Sequence, residues 1–142
     1  ISKKKKSDLS TSVKTPLITL SGHTENISSC KWIDNKSVCT ASWDHSIKLW
    51  DVFVGEETLT LKSLSKIYLA IDYSNLNKLI VAGLNDSIIR IYDPRSNEGN
   101  LVKISLTSHT GWCSSVAWSR TNEYLLVSGS YDNLVKLWDI RK

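Results

Sequence analysis

Residues 41–51, with the sequence ASWDHSIKLWD, place serine, histidine and aspartate side chains within a few residues of one another. Such groups carry out nucleophilic catalysis when a histidine removes the proton of a serine and a carboxylate orients the histidine. The same groups can also satisfy one another's hydrogen bonds inside a folded core. The surrounding sequence has to decide between these two hypotheses.

The stretch recurs along the chain. Each copy has an aspartate (Asp44, Asp86 or Asp132), then alternating apolar and polar or basic residues, then an aromatic–Asp pair, and the copies read CTASWDHSIKLWD (39–51), VAGLNDSIIRIYD (81–93) and VSGSYDNLVKLWD (127–139). Upstream of the first and third copies, SGHTENISSCKW (21–32) aligns with TSHTGWCSSVAW (107–118). A unit is therefore repeated three times.

Alternation with a period of two predicts strands in each unit. Three segments alternate in this way, SIKLWDV (46–52), IIRIYD (88–93) and LVKLWDI (134–140), and nine further strand candidates, PLITL (16–20) among them, make twelve. Short turn segments rich in Asn, Asp, Ser and Gly separate them. No segment has helical periodicity, so the predicted class is all-β.

A period of 40–45 residues ending in Trp-Asp resembles the WD40 repeat family of β-propellers. The resemblance implies four-stranded antiparallel blades and three repeats, at about 17–51, 57–93 and 101–139. Because a propeller needs typically 4–8 blades, three repeats imply either an incomplete piece of a larger ring or a ring that further copies of the chain complete. The family resemblance implies a larger ring of about seven blades. PLITL would then be an outer strand whose blade is missing, and LVKLWDI would lack its own outer partner.

The net charge of +4 is confined to residues 1–16. The Lys3–Lys6 run there is either a nuclear localisation or phosphate-binding arm, or a solvated linker or inter-blade insertion. The remaining residues are neutral overall, so a basic surface for nucleic acid is not indicated. No apolar run approaches a membrane span, and Cys30, Cys39 and Cys113 are expected to be reduced and buried. We expect no metal site, no cofactor and no small-molecule substrate.

By the same resemblance, each full repeat contains a hydrogen-bond network of a histidine, a hydroxyl, the turn aspartate and the WD-type tryptophan. A triad needs its hydroxyl in an open cleft, whereas these hydroxyls lie on strands beneath turns, and a catalytic site is normally single. We therefore predict a structural network and no catalytic residues, and reject a hydrolase that uses His23, Thr40 and Asp44. The implied members are His23, Thr40, Asp44 and Trp50 in the first repeat, and His109, Ser128, Asp132 and Trp138 in the third.

The middle repeat departs from this pattern. It has no Gly-His, Ala82 replaces the hydroxyl, Tyr92 replaces the tryptophan, and only Asp86 remains. We expect its blade to be held by apolar packing and to be locally weaker. Trp32 and Trp118 lie on inner strands and are predicted to be core, and His45 is predicted to be an exposed turn residue.

Partner binding is predicted at two ends of the blades. Trp43, Trp112 and Tyr131 fall on the face of the turns before the WD strand, where exposed aromatic side chains favour binding, although packing against neighbouring loops would equally explain them. Arg95 and Arg141 follow the aromatic–Asp pairs by two residues, as in WD-repeat receptors that dock on cullin–RING ubiquitin ligase adaptors. Local salt bridges would also explain these arginines.

Five stretches together resemble the WD-repeat subunits of the nucleolar pescadillo–Bop–WD-repeat complex, namely TPLITLSGHTENISS, ASWDHSIKLWDV, YDPRSNEGNLV, LTSHTGWCSSVAWS and SGSYDNLVKLWD. That family is required for maturation of the large ribosomal subunit. The resemblance implies a non-enzymatic scaffold that binds pescadillo-like and Bop-type proteins, contacts the pre-ribosomal particle indirectly, and resides in the nucleolus and nucleoplasm. The alternative is a substrate receptor of a ubiquitin ligase that docks through Arg95 and Arg141.

Overall fold

The computed structural model describes residues 11–96 and 102–142, so the Lys3–Lys6 run lies outside the described residues. The described residues form strands and turns only, which confirms the all-β prediction. The eleven strands are β1 Ile27–Trp32, β2 Ser37–Ser42, β3 Ser46–Asp51, β4 Glu56–Lys62, β5 Tyr68–Tyr73, β6 Ile80–Leu84, β7 Ile88–Tyr92, β8 Val102–Thr107, β9 Cys113–Trp118, β10 Leu125–Ser130 and β11 Val135–Asp139.

The strands form three antiparallel sheets in chain order. The first sheet is β1-β2-β3-β4, the second is β5-β6-β7-β8, and the third is β9-β10-β11. The register repeats from sheet to sheet: Trp50 pairs with Val38, Tyr92 with Ile80, and Trp138 with Leu126. The four-stranded antiparallel units predicted for the first two repeats are confirmed.

The sheets pack face to face, and the middle sheet is covered on both sides. One core joins Ile47 and Leu61 of the first sheet to Tyr68 and Ile80 of the second. A second core joins the other face of the middle sheet to the third sheet, through Val81, Ile89, Ile91, Trp118 and Leu126. Burial on two faces explains why β6 reads as the continuous apolar run IVAGL instead of an alternating strand.

The outer face of the first sheet corrects two predictions. Trp32 is 65% exposed and Cys30 is exposed, although both were expected in the core. They alternate onto the face of β1 that points away from the second sheet, and no other sheet among the described residues covers that face. Trp118, Cys39 and Cys113 are buried as predicted.

The segment PLITL corrects a third prediction, because residues 16–20 form no strand. A strand gains its stability from backbone pairing with a neighbour. The described residues contain no sheet packed on the outer face of the first sheet to which this segment could add as an outer strand, so it runs over that face without a ladder.

Equivalent turns end the second strand of each repeat and place the residues that follow. His45, Ser87 and Asn133 each come directly after the turn aspartate and adopt the left-handed conformation, with φ of 72°, 63° and 70°. Asp44 and Asp132 cap these turns by accepting backbone N–H groups from Ser46 and Leu134. His45 is exposed, as predicted.

Candidate functional site

The structure brings the four polar residues of the first repeat into one chain of contacts. His23 Nδ1 lies 2.7 Å from Asp44 Oδ2, and His23 Nε2 lies 2.6 Å from Thr40 Oγ1. The indole N–H of Trp50 donates to the same Thr40 oxygen at 2.8 Å. These hydrogen bonds tie the segment before β1 to β2, to the β2–β3 turn and to β3.

The third repeat contains the same arrangement. His109 Nδ1 lies 2.7 Å from Asp132 Oδ2, and His109 Nε2 lies 2.7 Å from Ser128 Oγ. Trp138 donates its indole N–H to Ser128 at 2.8 Å. The aromatic rings also meet edge to face, with His109 and Trp138 centroids 6.3 Å apart.

One assignment of hydrogen positions satisfies every donor and acceptor of each of the two hydrogen-bond networks. The tryptophan N–H can only donate, so the hydroxyl oxygen accepts from it and gives its own hydrogen to histidine Nε2. Histidine Nδ1–H then donates to the carboxylate. Neutral imidazole with its hydrogen on Nδ1 therefore fits both repeats.

This geometry has the order hydroxyl–imidazole–carboxylate of a triad, but both hydroxyls are buried. Ser128 is 2% exposed, and Trp138 occupies the acceptor side of its oxygen. Thr40 is 8% exposed and is held by Trp50 in the same way. A nucleophilic oxygen needs access to substrate and nearby oxyanion donors, whereas both hydroxyls are buried and already accept a tryptophan N–H.

Hydrogen bonding dominates the protonation of the two turn aspartates. Burial alone would raise the pKa of Asp44, but hydrogen bonds from Ser46, His23 and the Thr24 backbone outweigh it and lower the pKa to about 2. Asp132 follows the same balance, since burial opposes the bonds from His109 and from the Thr110 and Leu134 backbone, which lower its pKa to about 2. Both carboxylates are therefore charged at neutral pH.

These depressed pKa values predict acid sensitivity. A carboxylate whose pKa is lower in the folded state stabilises the fold above its ordinary pKa of about 4, and this contribution is lost as the pH falls toward 2. We expect the free energy of unfolding, measured by urea titration, to drop steeply between pH 4 and pH 2. In the double variant Asp44→Asn/Asp132→Asn the drop should be shallower, and parallel curves for the two proteins would contradict the assignment.

The middle repeat replaces the network with contacts that sequence reasoning missed. Tyr92 stands where the tryptophans stand, and its hydroxyl lies 2.7 Å from that of Tyr68. Arg90 binds both carboxylate oxygens of Asp86, at 3.3 and 2.7 Å, and so takes over the partner role of the absent histidine. Apolar packing was predicted here, and the structure adds these two polar contacts.

Two of the three predicted partner-binding aromatics form one surface. Trp112 and Tyr131 stack with centroids 5.5 Å apart and ring planes 18° apart, and the Tyr131 N–H donates to the Trp112 carbonyl. Their exposed fractions are 41% and 67%. Trp43 stands at the position of Tyr131 in the first repeat and is also exposed. Trp112 and Tyr131 are called the aromatic pair below.

Arg95 and Arg141 are engaged in local ion pairs at the opposite end of the sheets. Arg95 binds both oxygens of Asp93 at 3.0 and 3.1 Å, and Arg141 binds both oxygens of Asp139 at 2.9 and 2.6 Å. The Arg141 guanidinium also lies 4.4 Å above the Tyr124 ring. The local salt bridge is thus the interpretation that the geometry favours for both arginines.

The described residues hold no cluster of His, Cys, Asp or Glu side chains suited to a metal ion. Burial raises the pKa of the Cys39 thiol to about 12 and that of Cys113 to about 11, so both remain protonated at neutral pH. In residues 11–96 and 102–142 no helix is long and apolar enough to cross a membrane.

Comparison with known proteins gives two results. The sequence pattern of the family described as "WD domain, G-beta repeat" matches residues 14–51 and 99–139, which contain the two hydrogen-bond networks. The chain is also similar to curated proteins named "Ribosome biogenesis protein WDR12 homolog". It is 50% identical to that of Culex quinquefasciatus over 92% of the chain, 49% to that of Aedes aegypti over 90%, and 47% to that of Nematostella vectensis over 90%. The chain spans about 30% of the length of these relatives.

Proposed function

Since this chain belongs to the WD domain, G-beta repeat family, we propose that it is part of a non-enzymatic scaffold for ribosome biogenesis. Rigid sheets hold exposed side chains for protein partners, and no reaction takes place on them. The observation that carries the proposal is the 50% identity, over 92% of the chain, to a protein named for ribosome biogenesis. A nuclear and nucleolar location follows from the same proposal.

The partners we propose are those implied by the sequence resemblance, namely a Bop-type propeller and a pescadillo-like protein in a complex that matures the large ribosomal subunit. The aromatic pair supports a protein partner because large, rigid aromatic side chains dominate interface energies. Mutual stacking fixes both rings before binding, so little side-chain entropy is lost on association. Docking on a ubiquitin ligase adaptor through Arg95 and Arg141 has no such support, since both guanidiniums are already paired.

Removal of the aromatic pair should weaken partner binding. In the intact protein, we expect Trp112→Ala/Tyr131→Ala to lower the affinity for the Bop-type partner by about 30-fold or more, because even one central aromatic anchor contributes about 2 kcal/mol or more. Isothermal titration with the purified partner propeller measures the effect.

The matched control is Phe53→Ala, which removes a 75% exposed aromatic side chain at the opposite end of the first sheet. Its affinity should be unchanged. If Phe53→Ala abolishes binding and the aromatic-pair variant does not, the partner binds the other end, and the role proposed for the aromatic pair is wrong.

A further inference from the structure

The aromatic pair is carried by two segments that a buried carboxylate joins. Asp132 follows Tyr131 in the chain, and its Oδ2 atom accepts the N–H of Thr110, two residues before Trp112, at 3.1 Å. The carboxylate therefore lies between the segments that carry the two rings. Its side chain is 6% exposed, so water screens its charge less than it would on an open surface.

The charge of Asp132 is not cancelled by the histidine that binds it. His109 Nε2 is the acceptor that the described residues offer to the hydrogen of the Ser128 hydroxyl, and a protonated imidazole would leave that buried hydrogen without a partner. His109 is therefore neutral. Lys136 of β11 lies beside Ser108 and forms no ion pair with Asp132 within the part of the chain that the structure describes.

The negative potential extends to the start of β9. Burial raises the pKa of the Cys113 thiol, and the charges of Asp132 and Asp86 raise it further. Asp86 is paired with Arg90, whereas Asp132 binds only neutral groups. Cys113 follows Trp112 directly, so a cation placed on the Trp112 ring would meet a favourable potential.

The repeats associate an exposed aromatic side chain with a turn aspartate that keeps its charge. Equivalent backbone hydrogen bonds fix the residue before each turn aspartate, which is Trp43, Asn85 or Tyr131. Trp43 and Tyr131 precede an aspartate that a histidine binds, whereas Asn85 precedes the aspartate that an arginine neutralises. Aromatic rings thus occur where the negative charge is retained, and this association favours a cationic group as the one that both would bind.

A guanidinium fits such a site better than an ammonium does. It is planar, it stacks on aromatic faces, and it is more weakly hydrated. The chain contains an example, because Arg141 lies 4.4 Å above the Tyr124 ring and binds the carboxylate of Asp139. That contact combines the same two groups, an aromatic face and an aspartate.

We propose that the protein partner places an arginine side chain on the aromatic pair, with the guanidinium against a ring face and its charge attracted by Asp132. The inference rests on the proposed function, because it names the chemistry of the partner residue at the same site. It makes the site selective for a cationic side chain, whereas apolar burial alone would favour an aliphatic one.

The probe is a library of random decapeptides that is passed over the immobilised intact protein at neutral pH. We expect arginine to be enriched among the retained peptides by about 3-fold or more over the library, because stacking and charge both favour it. In a retained peptide labelled with fluorescein, citrulline is the neutral isostere of arginine. Replacing the arginine by citrulline should weaken binding by about 10-fold or more, and replacing it by lysine should weaken binding less.

Two variants separate the contribution of the rings from that of the charge. Trp112→Leu/Tyr131→Leu keeps both positions apolar but removes the rings, and should lower the affinity for the arginine peptide by about 10-fold or more. Asp132→Asn should lower that affinity by about 3-fold and leave the affinity for the citrulline peptide unchanged, because only the charged peptide responds to the carboxylate. The matched control Phe53→Leu removes an exposed ring of the first sheet and should bind both peptides normally. Thermal denaturation checks that each variant is folded.

The inference is overturned if no peptide is retained, or if aliphatic residues or proline are enriched in place of arginine. Equal affinities for the arginine and citrulline peptides, or equal losses of both peptides in Asp132→Asn, would overturn it as well. The peptides contain no part of the Bop-type partner, so these results do not depend on the proposed function. Arginine enrichment together with an unchanged affinity of Trp112→Ala/Tyr131→Ala for the partner propeller would support the inference and contradict the Bop-type protein as the partner at this site.

Discussion

Gly83→Ala is expected to destabilise the chain by about 3 kcal/mol, at the upper end of what overpacking costs in protein cores. A Cβ at position 83 would lie 2.4 Å from the backbone oxygen of Cys113 and 3.0 Å from the Cys113 side chain. Gly83 is on β6 and Cys113 is on β9, so the clash is between the second and third sheets. A backbone oxygen in a paired strand cannot move aside as a side chain does, and the two sheets would have to separate.

Gly129→Ala is the matched control. Gly129 and Gly83 both lie three residues before a turn aspartate, on β10 and β6. A Cβ at Gly129 would meet nothing closer than the Ser115 Cβ at 3.7 Å, which is ordinary contact. We expect a change within about 0.5 kcal/mol there. Urea midpoints of both variants measure the difference, and equal losses would show that the close approach of β6 and β9 does not limit packing.

The sequence predicted most of this fold because its signals are local. All eleven strands of the described residues fall on segments predicted to be strands, and the turn aspartates mark the same turn three times. Side-chain alternation is a property of each strand by itself, so it can be read without knowing what lies above the sheet.

The predictions were wrong where the burial or the pairing of a residue depends on a neighbouring sheet. Trp32 and Trp118 occupy the same register position, on β1 and β9, yet Trp32 is exposed and Trp118 is buried. Of the first and third sheets, only the third has another sheet packed against that face in the described residues. The strand prediction for PLITL (16–20) was wrong for the same reason, because a segment becomes a strand only when its backbone pairs with a neighbouring strand.

The middle repeat shows another limit of pattern reading. Its loss of Gly-His, hydroxyl and tryptophan was visible in the sequence, but the substitutes were not. Arg90 binds Asp86 because an arginine at that register position reaches the turn carboxylate, whereas Lys48, its equivalent in the first repeat, binds Glu57 instead. The sequence did contain one indication of this contact, because the basic residue at this position is an arginine in the middle repeat and a lysine in the first. A guanidinium can bind two carboxylate oxygens at once, whereas an ammonium cannot.

His109→Ala is expected to cost about 3 kcal/mol. The buried Ser128 hydroxyl would lose the acceptor of its hydrogen, which costs about 1–3 kcal/mol. The imidazole would leave a void between β10 and the segment before β9, and the space cannot collapse because Gly111 lies against the backbone of the β10–β11 turn. Asp132 would keep its bonds to the Thr110 and Leu134 N–H groups.

His45 is the control position for His109. His45 is exposed in a turn with φ of 72°, a conformation that asparagine tolerates, so His45→Asn should change stability by less than about 0.5 kcal/mol.

A double-mutant cycle between His109→Ala and Ser128→Ala tests the mechanism, since the two losses should not add if both break one network of hydrogen bonds. Additive losses, or a cost for His109→Ala no larger than that for His45→Asn, would mean that the sheet is held by packing and that the network contributes no stability. A stabilising network would in turn explain why it occurs in two sheets with the same order of donors, whereas a catalytic function requires only one.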